Sequence, residues 1–249
     1  MTRLLIILSL MMLALGCSPA APPAAPGDAA PAAAETEPAL SEQLAAVRAQ
    51  QSDIVHLEGA ALSDDDLDLL VDVPRLKILQ LDHAENKLTD AGMAKIARLA
   101  ALEHLRIRGG SIGDEGLAQL ATMPSLKILN LPQGKFSDAG LAQLKGLPQL
   151  VMLRIGSPRV TDAGIAVLKD FPSLRRIHLI DIPITDKGLA DLQSIPRLES
   201  LYLDGAKVSD AAVDAVVTKL RAPNRATRAT ALAEVLRDVA LAVEGVALG

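Results

Sequence analysis

The stretch Leu126–Gln149, LKILNLPQGKFSDAGLAQLKGLPQ, decides the fold. It falls into two halves. In LKILNL, Leu129 and Leu131 alternate with other residues, the period of a short strand with one buried face. Ser137 and Asp138 then open a helix: the hydroxyl caps free amide groups, and the carboxylate sits in the first turn, where the helix dipole favours it. Apolar positions in GLAQLKGL recur at helical spacing, and Pro148 stops the helix before the next strand. The unit is strand, turn, short helix and return. Alone it cannot bury its apolar face.

Working outward, the same pattern recurs on both sides. Leu76, Leu102, Leu126, Leu150, Leu174 and Leu198 are spaced 26, 24, 24, 24 and 24 residues apart. They open LKILQLD, LEHLRIR, LKILNLP, LVMLRIG, LRRIHLI and LESLYLD. The helix blocks are LTDAGMAKIARL, IGDEGLAQLATM, FSDAGLAQLKGL, VTDAGIAVLKDF and ITDKGLADLQSI. A degenerate copy with Ile54–Leu57 and LSDDDLDLLVDV precedes them, and VSDAAVDAVVTKL closes the series. About seven units therefore occupy residues 52–220. Stacked neighbours share one continuous core, in which each large aliphatic side chain contributes roughly 1.5–3 kcal/mol.

These motifs resemble the leucine-rich repeat family, and T-D-x-G-L-A-x-L resembles its ribonuclease-inhibitor-like and F-box-associated subclass. The repeats lack the cysteine found in one version of that subclass. The resemblance implies an α/β solenoid, a horseshoe with a parallel concave sheet and convex helices. It further implies a protein that binds other macromolecules. Both ends of such an array need covers. Leu40, Leu44 and Val47 share one face of a helix predicted from near Ser41, which makes 39–51 an N-terminal cap. Residues 221–249 read as a connector containing Arg221, Pro223, Arg225 and Arg228, followed by a capping helix with Leu232, Val235, Leu236, Val239 and Val243 on one face.

Between the two inward positions of each strand, one residue faces the open side. That column is His56, Gln80, Arg106, Asn130, Arg154, His178 and Tyr202. Flanking outward positions add Asp82, His104, Arg108, Met152, Arg176, Ser200 and Asp204. Strands about 4.8 Å apart make this floor about 30 Å wide. Arg106, Arg108, Arg154 and Arg176 crowd its middle, and arginine presents a planar fork suited to carboxylates. The expected function is recognition of a protein partner with an acidic or polar surface. The alternative is a structural envelope component that binds a polymer such as peptidoglycan.

Other chemistries find little support in the chain. It has 249 residues, of which 50% are hydrophobic and 22% charged, with a net charge of −5. Phe136, Phe171 and Tyr202 are its only aromatic residues, too few for a base-stacking surface, so nucleic acid is not an expected partner. One Cys excludes a disulfide framework and a zinc ribbon. His56, His83 and His104 sit at different heights on successive units, so no metal site or cofactor is expected. Asp64, Asp90, Asp114, Asp138, Asp162, Asp186 and Asp210 form an acidic column that helix starts explain. Gly92, Gly116, Gly140, Gly164 and Gly188 follow the repeat and lack phosphate-loop spacing. No G-x-S-x-G, H-E-x-x-H or Walker pattern occurs, and an enzyme is not expected. A monomer is.

The first residues read as an address. Arg3 precedes an apolar run from Leu4 to Leu15, too short to span a bilayer and fitting a signal-peptide core. Leu13-Ala14-Leu15-Gly16-Cys17 resembles a bacterial lipobox, which implies cleavage of residues 1–16 and lipidation of Cys17. Ser18 resembles an outer-membrane sorting signal. Residues 17–38 then continue as an Ala/Pro-rich linker, extended at about 3.1 Å per residue. The expected location is the cell envelope, with the domain tethered to a membrane, the outer one by the sorting signal.

Overall fold

Alternating aliphatic residues make seven short strands in a computed structural model that describes residues 39–221, apart from 60 and 71. They are β1 (Ile54–Leu57), β2 (Ile78–Leu81), β3 (His104–Ile107), β4 (Ile128–Leu131), β5 (Met152–Ile155), β6 (Arg176–Ile180) and β7 (Ser200–Asp204). All neighbours are parallel and paired in chain order, forming one open sheet. The chain returns between strands through α2 (Asp90–Ile96), α3 (Asp114–Leu120), α4 (Asp138–Gln143), α5 (Asp162–Ala166) and α6 (Asp186–Leu192), with α7 (Asp210–Arg221) after the last strand. This is a leucine-rich repeat solenoid. The expected segments 1–16, Cys17 with the 17–38 linker, and the connector and cap beyond Arg221 lie outside the described residues.

Register explains the core. Leu79, Leu105, Leu129, Leu153 and Ile177 are successive partners across the sheet. Each is at most 1% exposed. Leu81, Ile107, Leu131, Ile155 and Leu179 form a second buried row. Helix residues such as Met93, Leu117, Leu141, Ile165 and Leu189 close over them from the convex side. With so few aromatic rings, only Phe136 and Phe171 add large planar volume to this core.

The acidic and glycine columns turn out to be two halves of one device. Asp64, Asp90, Asp114, Asp138, Asp162 and Asp186 each grip the unit that follows. Asp138 Oδ1 accepts from the Thr161 backbone N–H at 2.7 Å and its Oδ2 from the Thr161 hydroxyl at 2.7 Å. The same pair of bonds joins Asp64 to Thr89, Asp114 to Ser137, Asp162 to Thr185 and Asp186 to Ser209. Each hydroxyl also accepts from an N–H in the first turn of its own helix, as Thr161 does from Ala163. A Cβ placed on Gly92, Gly116, Gly140, Gly164 or Gly188 would overlap the carboxylate oxygen of the column Asp in the preceding unit, as at Gly164 with Asp138. Glycine is therefore there to admit the neighbour's carboxylate. One link is incomplete, because Gly113 stands where the others have Ser or Thr, and only its N–H reaches Asp90.

These bonds stabilise the ionised carboxylates. Burial pushes the Asp114 pKa up, but bonds from the Ser137 N–H and hydroxyl, the Arg159 charge and the Gly140 N–H outweigh it and hold it below the usual range. The Ser209 hydroxyl and N–H likewise hold Asp186 low.

Local departures from the regular unit have local causes. The first unit forms a 3-10 segment, Asp65–Leu70, where a helix was predicted. Its first turn holds Asp65, Asp66 and Asp68, whose mutual repulsion disfavours continuation. Asp66 instead turns back to accept from the N–H and hydroxyl of Ser63, both at 2.7 Å, and these bonds lower its pKa. The last turns of α4 and α5 also tighten to 3-10. At the first edge, α1 (Leu40–Arg48) starts one residue before Ser41 and buries Leu40, Leu44 and Val47. Gln43 on this helix acts as a substitute strand: Nε2 donates to His56 O at 2.5 Å, and Oε1 accepts from His56 N at 2.7 Å. The exposed edge of β1 is thereby satisfied by a side chain.

Candidate functional site

Strand parity sends a second set of side chains to the concave side, and they form three rows. The middle row is the predicted column, with His56, Gln80, Arg106, Asn130, Arg154 and His178 in successive register and Tyr202 beside His178. A row nearer the strand starts holds Ile54, Ile78, His104, Ile128, Met152, Arg176 and Ser200. A third row, at or just beyond the strand ends, includes Glu58, Asp82, Arg108 and Asp204.

Long side chains lie sideways across neighbours only about 4.8 Å away. This builds two polar clusters. In the first, Asp82 Oδ1 faces Arg106 Nε at 2.6 Å, while Asp82 Oδ2 and Glu58 Oε1 face His56 Nε2 at 3.3 and 3.2 Å. In the second, Arg154 donates through NH1 to Asn130 Oδ1 at 3.0 Å and through Nε to His178 Nδ1 at 3.1 Å. Because Nδ1 accepts, the proton of the neutral ring is on Nε2, which meets Asp204 Oδ2 at 2.7 Å. Tyr202 lies against the same ring, centroid to centroid 5.5 Å. Burial and the Arg106 charge lower the Arg154 pKa against the pull of Asp204 and Asp82, yet guanidinium remains a cation.

These contacts change which predicted residues a partner would meet. Asn130 is 7% exposed, and the Asp82 side chain equally so. Both point to the concave side, but the arginines of the next strand cover them. The expectation of a bare cationic patch is modified in the same way, since Arg106 and Arg154 are turned to groups of this chain. Arg108 and Tyr202 are exposed, whereas Gln80, Arg176 and His104 are half-buried.

Sequence reading named His104 and Met152 but passed over the apolar row they belong to. Ile78 and Ile128 flank His104 on either side. Desolvation there is the main reason that its pKa falls to about 4, with Arg106 adding to the shift and Asp82 opposing it. The period-two rule was sufficient to find this row, because Ile54, Ile78 and Ile128 share the parity of His104. Asn86 was also missed. Buried at 5%, it accepts from Leu62 N at 2.8 Å and donates to Leu81 O and Arg108 O at 3.1 and 2.9 Å. Its signal was the spacing of 26: the two surplus residues fall between β2 and Thr89, in the loop that carries it.

Among the described residues, no helix is long and apolar enough to cross a membrane. The family model described as Leucine Rich repeat matches residues 101–121, which run from the start of the third unit to the end of α3. No curated protein matches the sequence. Two solved structures similar in shape are internalins from Listeria monocytogenes. The internalin inlF is 17% identical with a TM-score of 0.46, the alignment covering 67% of this chain and 56% of that one. Internalin C2 is 23% identical with a TM-score of 0.48, covering 68% and 66%. The chain thus spans less than two thirds of the length of either. The unit that matches the Leucine Rich repeat model at residues 101–121 is the one that recurs along this sheet, and the fold is that of a leucine-rich repeat solenoid.

Proposed function

We propose that this chain is a membrane-anchored binding protein that takes an extended protein segment across the concave strands. Solenoids of this kind offer long concave surfaces of a type used for binding. The observation that carries the reading is the outward row Ile54, Ile78, Ile128 and Met152, running beside the polar middle row. A sheet face that meets only water has no need of such a row, and Ile54 remains 41% exposed. Apolar contact flanked by fixed polar groups is the composition of a protein interface. It favours a polypeptide over a sugar polymer. The polar clusters hold their rotamers before any partner arrives, which lowers the ordering cost of association. Tyr202 and Arg108 are the anchors, and Arg108 is the group that would meet an acidic side chain. Tethering through Cys17 on the Ala/Pro linker would hold this face away from an outer-membrane surface.

Site-directed photo-crosslinking in native envelopes tests the reading. Probes at Ile128 and Tyr202 are expected to give the same adduct, and a probe at Lys145, on the convex side, none. Changing Ile128 and Met152 to Lys, with circular dichroism unchanged, is expected to reduce that adduct at least about tenfold. Equal labelling from Lys145, or an adduct indifferent to the lysines, would move the site off the concave face. Cys17→Ser is expected to release the chain from membranes, and unchanged sedimentation with membranes would refute the anchor.

A further inference from the structure

The first polar cluster has a geometry that a salt bridge does not explain well. His56 Nε2 faces two carboxylate oxygens at once, Glu58 Oε1 at 3.2 Å and Asp82 Oδ2 at 3.3 Å. Elsewhere on this protein His178 meets Asp204 at 2.7 Å, and Lys77 meets Asp53 at 2.8 Å. A single N–H can point at one acceptor only, whereas a cation placed between three donors satisfies all of them. Ligands about 2.1 Å from a metal are separated by about 3.0 Å at octahedral angles and about 3.4 Å at tetrahedral ones. The two measured gaps fall between these edges. All three ligand atoms lie within 4.8 Å of one another, and among the described residues no other trio of His, Cys, Asp or Glu does so.

We infer that His56, Glu58 and Asp82 form a divalent metal site for which Zn2+ is the fitting ion. The donor set is one imidazole and two carboxylates. That combination suits Zn2+, whereas Ca2+ takes six to eight oxygens and Mg2+ keeps most of its water. Three protein ligands leave an open coordination position facing the concave space. The surroundings orient the donors. Arg106 occupies Asp82 Oδ1 at 2.6 Å and leaves Oδ2 turned to the site, as an outer-shell partner would. Gln43 holds both backbone groups of His56, and the Asp82 side chain is only 7% exposed. Glu58 and Asp82 occupy equivalent places, each immediately after its strand, so the stacking of two units assembles the site. None of this depends on the binding of a protein partner.

The test is titration of the full-length, metal-stripped protein with ZnCl2 by calorimetry, beside CaCl2 and MgCl2. One Zn2+ per chain is expected, with a rise in melting temperature that calcium and magnesium do not give. Co2+ in its place would report the donor geometry in its visible spectrum. Glu58→Gln changes an exposed side chain and leaves the core alone, and it should weaken Zn2+ binding by about 10-fold to 100-fold. His56→Ala should weaken it at least as much. Absence of saturable Zn2+ binding would overturn the inference. So would an affinity unchanged in Glu58→Gln and His56→Ala, which would place the ion elsewhere, for example at Cys17.

Discussion

Gly113 interrupts the inter-unit seam, and restoring it gives a quantitative test. The backbone there already has the conformation of the intact links: φ −106° and ψ −160° at Gly113, against −103° and −174° at Ser137. Any residue adopts this extended region. A new Cβ would stand 3.0 Å from Asp90 Oδ2, which must yield by a few tenths of an ångström. The five intact links show that an Asp in this place accommodates a Ser or Thr. Gly113→Ser then adds three effects. Loss of unfolded-state freedom contributes about 0.4–1 kcal/mol, as for Gly→Ala. Improvement of the helix cap contributes a few tenths. A partly exposed hydroxyl-to-carboxylate bond contributes about 0.5–1 kcal/mol. After the small steric cost, the net gain is about 1 kcal/mol, or roughly 2–4 °C in Tm for a domain of this size. Urea unfolding at constant m-value measures it. Gly113→Ala supplies the entropy effect without the hydroxyl, and Ser in an Asp90→Ala background removes the acceptor. Equal stability of the Ser and Ala variants would refute the idea that the hydroxyl bond joins the units.

Gly164→Ala works in the opposite direction. Ala favours a helix by up to about 1 kcal/mol, but its methyl would displace Asp138 from Thr161. A net loss of roughly 1–3 kcal/mol is expected, most of it disappearing in an Asp138→Ala background, and a stabilised single variant would contradict the seam. Leu129→Asp puts a carboxylate at the centre of the shared core, where Leu129 is 0% exposed, and cooperative loss of the fold is expected by circular dichroism. Retention of the melting transition would mean the strand faces are exchanged. His104 should titrate by NMR near pH 4. Its pKa is lower folded than unfolded, so the unfolded chain binds the extra proton between about 6.5 and 4. Stability from this residue is therefore complete above pH 6.5 and declines as the pH falls towards 4, by at most about 3 kcal/mol. His104→Gln should flatten that part of the stability profile, and an unchanged profile would assign the slope to other groups.

The strand faces and the unit boundaries were legible in the sequence because each depends on spacing within one unit. Period two placed Leu129 inward and Asn130 outward without knowledge of any neighbour. Contacts between units were less accessible. Asp138 and Gly164 each stood in a visible column, but their meeting requires the offset of one stacked unit upon the next. The same limit hid the trio His56, Glu58 and Asp82, whose donors come from adjacent strands. It also hid the covering of Asn130 by Arg154. Residues that share a column look alike in a sequence, while their accessibility is set by the length of the side chain one strand away.

The Asp-to-hydroxyl seam has a direction, and direction governs how such a chain changes length. The units from Asp114 to Asp186 present an acceptor on one side and donors on the other, so an in-frame duplication of 24 residues among them reproduces both halves of the joint. A block with any other number of residues must absorb the difference in a loop, as the segment around Asn86 does. Two inner units brought together by identical faces would instead set carboxylate against carboxylate, or hydroxyl against hydroxyl. The repeat is thus permissive to growth along its own axis and resistant to stacking against a unit of reversed order.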